Sequence, residues 1–332
     1  MSRPIAQQAA LDFVLALRRQ WAGTFYPVLA TQAAACEDVA DAAFVEALHA
    51  TPAWPWFAWL ERGSQKMLWR AAIDAVGGPD DPAEATALPE WYTEWDIHLQ
   101  PGGVWSGPRA AAVYELGARL VMLGENDDYR FHRLFAETAV PKRPYRRIVD
   151  LGCGFGKSAW PLKQAFPAAE VTGVDLSLAC LELARQRCAE RQLDVRFVAA
   201  DACATGLPAG CADLVTSTML IHELPADALV ALYREAARLL APGGILRFLD
   251  FQHCGDRLRD RMIDEHGDRN NEPFLPPMLV QDQTALARDA GFASARWRAF
   301  DETGGGLCDG LEWPRRSAWH FPWAVLEAEL PA

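Results

Sequence analysis

The residues of this 332-residue chain that could do chemistry are a set of strand-end aspartates and seven histidines. Asp150-Leu-Gly152-Cys-Gly154-Phe-Gly156 closes a short apolar run. Glycines there let the backbone turn sharply and let a ligand approach the amides at a helix start. Asp175 ends the next apolar run, 23 residues after Gly152, and Asp201 follows a third. Among the histidines, His222 stands beside Glu223, His253 follows Asp250-Phe-Gln, and His98 lies in an aromatic loop. An imidazole placed beside a bound hydroxyl is suited to general-base work near neutral pH.

The glycine loop has rivals that spacing removes. A phosphate-binding P-loop needs glycine five positions before Gly156, where Leu151 stands, so Lys157-Ser158 is a decoy. The GxGxxG dinucleotide fingerprint needs glycine at 157, which is lysine. What remains is GxGxG after an acidic strand end. Asp175 falls near the offset of roughly 20 residues at which a carboxylate meets ribose hydroxyls. Asp201 is placed to accept a hydrogen bond from an exocyclic amine of a base. Each aspartate alone is the usual material of caps and turns, but three strand-end features in register point to an adenosyl ligand. A zinc-peptidase reading fails because HExxH requires histidine at 226, which is alanine.

The elements that must position these groups alternate strand and helix from Tyr145 onward. Strands are expected at residues 146–151, 170–175, 195–199, 212–217 and 245–251, with a helix over 178–191 and another carrying Leu229, Leu232, Ala236 and Leu239 on one face. Such alternation implies a parallel sheet covered on both faces, with ligands at the carboxyl ends of its strands. Residues 292–300 and 318–327 read as two further strands with no helix between them, which must pair antiparallel or lie apart. Residues 1–140 read as helical, from the spacing of Leu11, Val14 and Leu15 and of Phe44, Val45 and Leu48. They hold eight of the thirteen tryptophans, expected mainly as packing. Residues 77–82 and 91–105 read as loops; the second mixes aromatics with Asp96, His98 and Trp105.

VDLGCGFG, GVDLS, AADA, ADLVTS and LLAPGG resemble, in order, the motifs of class I S-adenosylmethionine-dependent methyltransferases, over about residues 145–251. The resemblance implies a doubly wound, mostly parallel seven-stranded sheet with an antiparallel terminal hairpin, preceded by an all-helical region. It implies S-adenosyl-L-methionine as cofactor and S-adenosyl-L-homocysteine as product. The loop residues Asp150, Gly152, Gly154 and Gly156 would cradle the methionyl part, Asp175 with Leu176 the ribose, and Asp201 with Ala202 the adenine, with Thr218 beside them. His222, Glu223 and His253 are the catalytic candidates. Asp96, His98, Trp105, Asn271 and Phe274 are the candidates for substrate contact, and no metal is implied.

Composition narrows the partners. Lys and Arg total 32 against 44 Asp and Glu, a net charge of −12, and residues 1–140 carry −8 of it. Nucleic acid and anionic membranes call for a basic surface. No Asn/Asp-Pro-Pro-aromatic tetrapeptide follows the fourth strand either, where Ser217-Thr-Met-Leu stands. The eight cysteines form no CxxC and read as reduced thiols of a cytoplasmic protein. The expectation is a methyltransferase acting on a small molecule, O-methylation first, with N- and C-methylation behind it. A regulatory protein that binds the same cofactor without transfer is the alternative. The helical region, 1–140, is expected to cover substrate or to form a homodimer; within the catalytic region, 141–332, an insertion at 255–281 is expected to act as a lid.

Overall fold

A computed structural model describes residues 4–36, 38–78 and 88–332; positions 79–82 of the first expected loop lie outside them. Ahead of the sheet the described chain is helical: α1 (Ile5–Gln20), α2 (Tyr26–Ala34), α3 (Asp41–His49), α4 (Trp54–Val76), α5 (Glu90–Thr93), α6 (Pro108–Val121) and α7 (Arg130–Thr138). Leu11 and Val14 recur at helical spacing and pack on Leu68, Trp69 and Ala72 of α4 and on Val113 and Leu120 of α6. A π-turn at Trp21–Phe25 joins α1 to α2 and buries Trp21 against Phe57, ring centroids 4.9 Å apart. Burying a large apolar side chain contributes about 1.5–3 kcal/mol, so the tryptophans at 21, 54 and 69, all buried, account for much of this region's cohesion.

The sheet consists of β1 (Arg147–Leu151), β2 (Glu170–Asp175), β3 (Arg196–Ala199), β4 (Ala212–Thr218), β5 (Leu240–Phe251), β6 (Ser294–Asp301), β7 (Gly306–Leu307) and β8 (Trp323–Glu329). Their order is β3-β2-β1-β4-β5-β8-β6-β7. The first five run parallel, and β8 lies antiparallel between β5 and β6. The helices α8 (Ala159–Ala165), α9 (Leu178–Glu190) and α10 (Ala226–Leu239) connect them, and α11 (Arg257–Asn270), α12 (Leu275–Val280) and α13 (Gln283–Asp289) precede β6. Burial on both faces explains why β1 reads as a continuous apolar run rather than an alternating one. Pairing of Leu151 with Val174 and Ser217, and of Asp175 with Ala199, brings the carboxyl ends of β1 to β4 into one row.

Three details differ from the sequence expectation. The sheet has eight strands rather than seven, because the turn at Gly304–Gly306 returns two residues to pair with the end of β6. The Pro242-Gly243-Gly244 turn sits inside β5 as an irregularity, with Leu240 opposite Ala212 and Ile245 opposite Leu214. The Pro-rich stretch of the insertion is helical at α12, where Pro276 and Pro277 occupy the first turn, whose amides have no intrahelical partner to lose.

Candidate active site

Two cavities meet above the carboxyl ends of the strands. The smaller, about 70 Å³, is lined by Gly152, Gly154, Asp175, Leu176, Asp201 and Ala202, with Trp91, Tyr92 and Val104 on the opposite wall. Six of the nine expected cofactor residues therefore share one wall. Gly152 and Gly154 hold φ of 66° and 52°, a region costly for any side chain. A Cβ on Gly152 would fall 2.8 Å from Leu220. Asp175 accepts from the Gly154 amide at 2.7 Å and from the Ser177 amide at 2.9 Å; burial raises its carboxyl pKa against those bonds.

The other three expected cofactor residues line neither cavity. Asp150 is fully buried beneath the loop and accepts from Ser158 Oγ at 2.5 Å and Thr216 Oγ1 at 2.8 Å. Burial pushes its carboxyl up to about 7. Gly156 packs against α9, where a Cβ would meet that of Ala184 at 3.2 Å. Thr218 is buried, and its hydroxyl has no partner among the described residues.

The residues present fit the adenosyl cofactor that the sequence implies: consecutive strand-end carboxylates at Asp175 and Asp201 face a wall of backbone amide and aromatic rings. Pockets for ligands of that size run to roughly 300–1,000 Å³. The smaller cavity is narrower because Trp91, Tyr92 and Val104 close over it.

The larger cavity, about 620 Å³, lies between the helical region and the sheet. Trp69, Tyr114, Leu116 and Met122 line it from the helices, and Phe155, Phe251, Phe321 and Trp323 from the sheet side. Its polar end is a row of imidazoles, each between two carboxylates. His266 Nδ1 is 2.6 Å from Glu61 and its Nε2 is 3.6 Å from Glu272. His98 Nδ1 is 2.7 Å from Glu272 and its Nε2 is 2.9 Å from Glu223. His222 Nδ1 is 2.6 Å from Asp250 and its Nε2 is 3.7 Å from Glu223. Among the described residues, no group of three or more His, Cys, Asp or Glu is arranged to hold a metal ion.

The charges follow from that geometry. Burial works against a charged His98, but Glu272 and Glu223 outweigh it and raise its pKa well above the usual imidazole value. Burial likewise opposes the Glu223 carboxylate, yet the His98 hydrogen bond and charge bring it down to about 2. His222 is raised against burial by Asp250 and, more distantly, Glu223 and Glu272. His98 is held from behind: its carbonyl accepts from Trp69 Nε1 and Gln65 Nε2. Its φ of 59° and the 57° of Met219 place two non-glycine residues of the site in the left-handed region, where a cost of about 1–3 kcal/mol per residue is tolerated when surrounding contacts fix the conformation.

Of the catalytic candidates, His222 and Glu223 line the larger cavity and His253 lines neither. His253 Nε2 lies 2.7 Å from Asp264, within the turn that enters α11. Of the substrate candidates only His98 lines a cavity. Asp96 accepts from the Gly102 amide and Asn271 donates to the Asp96 carbonyl, while Phe274 stacks edge-on with Trp91. Trp105 lies against Gly103, where a Cβ would fall 2.3 Å from its Nε1. Sequence reasoning passed over Tyr114 and set Lys157 aside as a decoy, while Met219 and Glu272 stand in the 217–223 and 270–274 stretches it pointed to without being candidates themselves. Nothing in its local spacing marks Tyr114, whereas Lys157 adjoins the last glycine of the loop.

Tyr114, Lys157, Met219 and Glu223 line both cavities and so form their junction. Residues 148–244 match the family model of a methyltransferase domain. The chain is 41% identical over 141 residues to the demethylmenaquinone methyltransferase of Thermus thermophilus, 42% of this chain and 62% of that one. It spans 56% of the corresponding Deinococcus radiodurans enzyme. The ubiquinone/menaquinone biosynthesis C-methyltransferase of Methylobacterium nodulans is 30% identical over 186 residues, half of this chain and 71% of that one. Among solved structures, a putative O-methyltransferase of Nostoc punctiforme covers 79% of this chain and 67% of its own at 17% identity and a TM-score of 0.49. With the strand order, the glycine loop and the relative matched over most of its length, the chain belongs to the class I S-adenosylmethionine-dependent methyltransferases.

Proposed function

We propose that this protein methylates a small, largely apolar molecule held in the 620 Å³ cavity, at an oxygen atom, by in-line displacement. One observation carries the reading: the cavity walled by Asp175 and Asp201 opens into an aromatic-lined one through a single junction. When bound, the cofactor supplies an electrophilic methyl group on a sulfonium. The contribution of the protein is to hold an acceptor atom in line with it and to exclude water. His222 is the assigned base. Asp250 fixes its Nδ1 proton, which leaves Nε2 to take the proton of the acceptor hydroxyl, as a carboxylate-oriented imidazole does. His98 and Glu223 remain charged and frame the junction. Residues 90–105 supply both His98 and the aromatic cover of the smaller cavity, and we assign them the covering role expected of the helical region.

The relatives named for demethylmenaquinone and trans-aconitate methylation agree with a small-molecule acceptor. The test is transfer of labelled methyl from S-adenosylmethionine into the small-molecule fraction of a cell extract, after calorimetry with S-adenosylhomocysteine. Binding of neither form of the cofactor would sink the assignment, and label appearing only in protein or nucleic acid would overturn the acceptor class.

A further inference from the structure

Among the described residues, Lys157 is a buried cation with no counter-ion at ion-pair distance. Its side chain sits at the junction of the two cavities and the residue is 6% exposed. Its Nζ donates to Tyr114 Oη at 3.1 Å and lies 3.8 Å from Met219 Sδ. Among the described residues no carboxylate approaches it within ion-pair distance. An ammonium has three donors, and here one neutral oxygen and one weakly accepting sulfur answer them. Removing a charge from water is costly unless the site supplies an opposite charge. Glu223 and Asp175 favour the charged lysine only from a distance. The unfilled partner therefore faces the cavity space, and its chemistry is an oxyanion.

We propose that Lys157 and Tyr114 form an oxyanion-recognition pair, and that the acceptor carries an acidic hydroxyl, a phenol or enol, that ionises at the junction before it is methylated. This rests on the methyltransferase reading given above and names its substrate class. The balance is direct. The acceptor O–H bond breaks and its proton passes to His222 Nε2; the oxygen lone pair then forms the O–C bond as the methyl carbon leaves sulfur with the C–S electron pair remaining on sulfur. Lys157 stabilises the oxyanion between those events and is not consumed. An amine acceptor, neutral at the moment of attack, gains nothing from an ammonium placed there. The apolar walls, Phe155, Met219 and Phe251 among them, suit the ring or conjugated body that makes such a hydroxyl acidic.

The probe is 4-nitrophenol, whose phenolate absorbs in the visible and whose neutral form does not. It is added to the full-length protein saturated with S-adenosylhomocysteine, in mildly acidic buffer where the free probe is mainly neutral. The expected result is a phenolate band that saturates with protein. Lys157→Met removes the band and raises the dissociation constant about tenfold or more, as expected for loss of a charge-assisted bond; Lys157→Arg retains the band, and Tyr114→Phe weakens it. Because the band is read first in the unaltered protein, misfolding of a variant does not decide the outcome. Binding of the probe in its neutral form, or no binding to a protein that does bind S-adenosylhomocysteine, overturns the proposal. The cofactor's own carboxylate is the other source of an oxyanion. If Lys157→Met weakens S-adenosylhomocysteine but not 5′-methylthioadenosine, which lacks that carboxylate, the lysine serves the cofactor and the acceptor assignment falls. Failure of S-adenosylhomocysteine to bind at all refutes the methyltransferase reading instead.

Discussion

His98 Nε2 lies 2.9 Å from Glu223 although 125 positions separate them, and its Nδ1 lies 2.7 Å from Glu272, 174 positions away. One ring thus joins a turn before the sheet to the turn after β4 and to the end of α11. His98→Leu leaves the buried Glu272 and the partly buried Glu223 without this partner, a change that costs about 3 kcal/mol. We expect urea unfolding to show a loss of unfolding free energy of about that size, with a lower midpoint, and a turnover reduced at least tenfold. A variant as stable and active as the parent would remove His98 from the site.

The same pair sets an acid limit. Glu223 is depressed from 4.5 to about 2, so its contribution is complete above 4.5 and is lost as pH falls towards 2. His98, raised above the usual value, contributes fully below about 6.5 and loses that contribution as pH rises through its folded value. Stability measured against pH in Glu223→Gln should fall less steeply between about pH 4.5 and 2 than in the parent.

Turnover should follow His222. Raised by Asp250 against burial, it is free to accept a proton only above the ordinary imidazole range. The acidic limb of kcat/KM should therefore lie above about 6.5, and Asp250→Asn should move it down. His253, tied to Asp264 outside both cavities, should tolerate alanine with less than about a twofold change in kcat. A large loss there, with an unshifted limb in Asp250→Asn, would reassign the base.

Asp175 lines the cofactor cavity while accepting two amides. Asp175→Ala should raise the calorimetric dissociation constant of S-adenosylhomocysteine by about tenfold or more, the worth of a bond to a charged group. Unchanged affinity would exclude the ribose role.

Gly117 on α6 faces the Trp69 ring so closely that a Cβ would fall 1.9 Å from Cζ3. Because Trp69 also holds the His98 carbonyl, Gly117→Ala should cost about 1–3 kcal/mol by overpacking and lower activity as well. Gly63 in α4 has nothing within 4 Å of its own Cβ position, so Gly63→Ala should be neutral or stabilising by up to about 1 kcal/mol. Thermal melts of the two variants, read beside their turnover, decide the point.

What the sequence made legible was local. Asp150, Gly152, Asp175 and Asp201 sit at the ends of short apolar runs, and parallel register then aligns those ends without further information. The acceptor side was assembled by folding. His98 is a candidate from the sequence, but its pairing with Glu272 exists only once the end of α11 and the loop before α6 are laid together, and Lys157 reads as a failed P-loop until Tyr114 reaches it from another element. Single-residue signals mislead there too: Asp96, an eye-catching loop acid, is spent on the turn amide of Gly102, and Trp105 on covering Gly103.

The row of imidazoles and carboxylates also bears on how such a protein can change its substrate. His98 and Glu61 come from the helices, while His266, Glu272, Glu223, His222 and Asp250 come from the sheet and its insertion. The contacts that shape the acceptor cavity are the same ones that seat the helical region on the sheet. A chimera that exchanged residues 1–140 for those of a relative would keep the glycine and aspartate side of the cofactor cavity and the His222–Asp250 pair, yet would replace the Trp91, Tyr92 and Val104 side and the His98 and Glu61 halves of the other two clamps. In this fold the two parts must evolve as a matched pair.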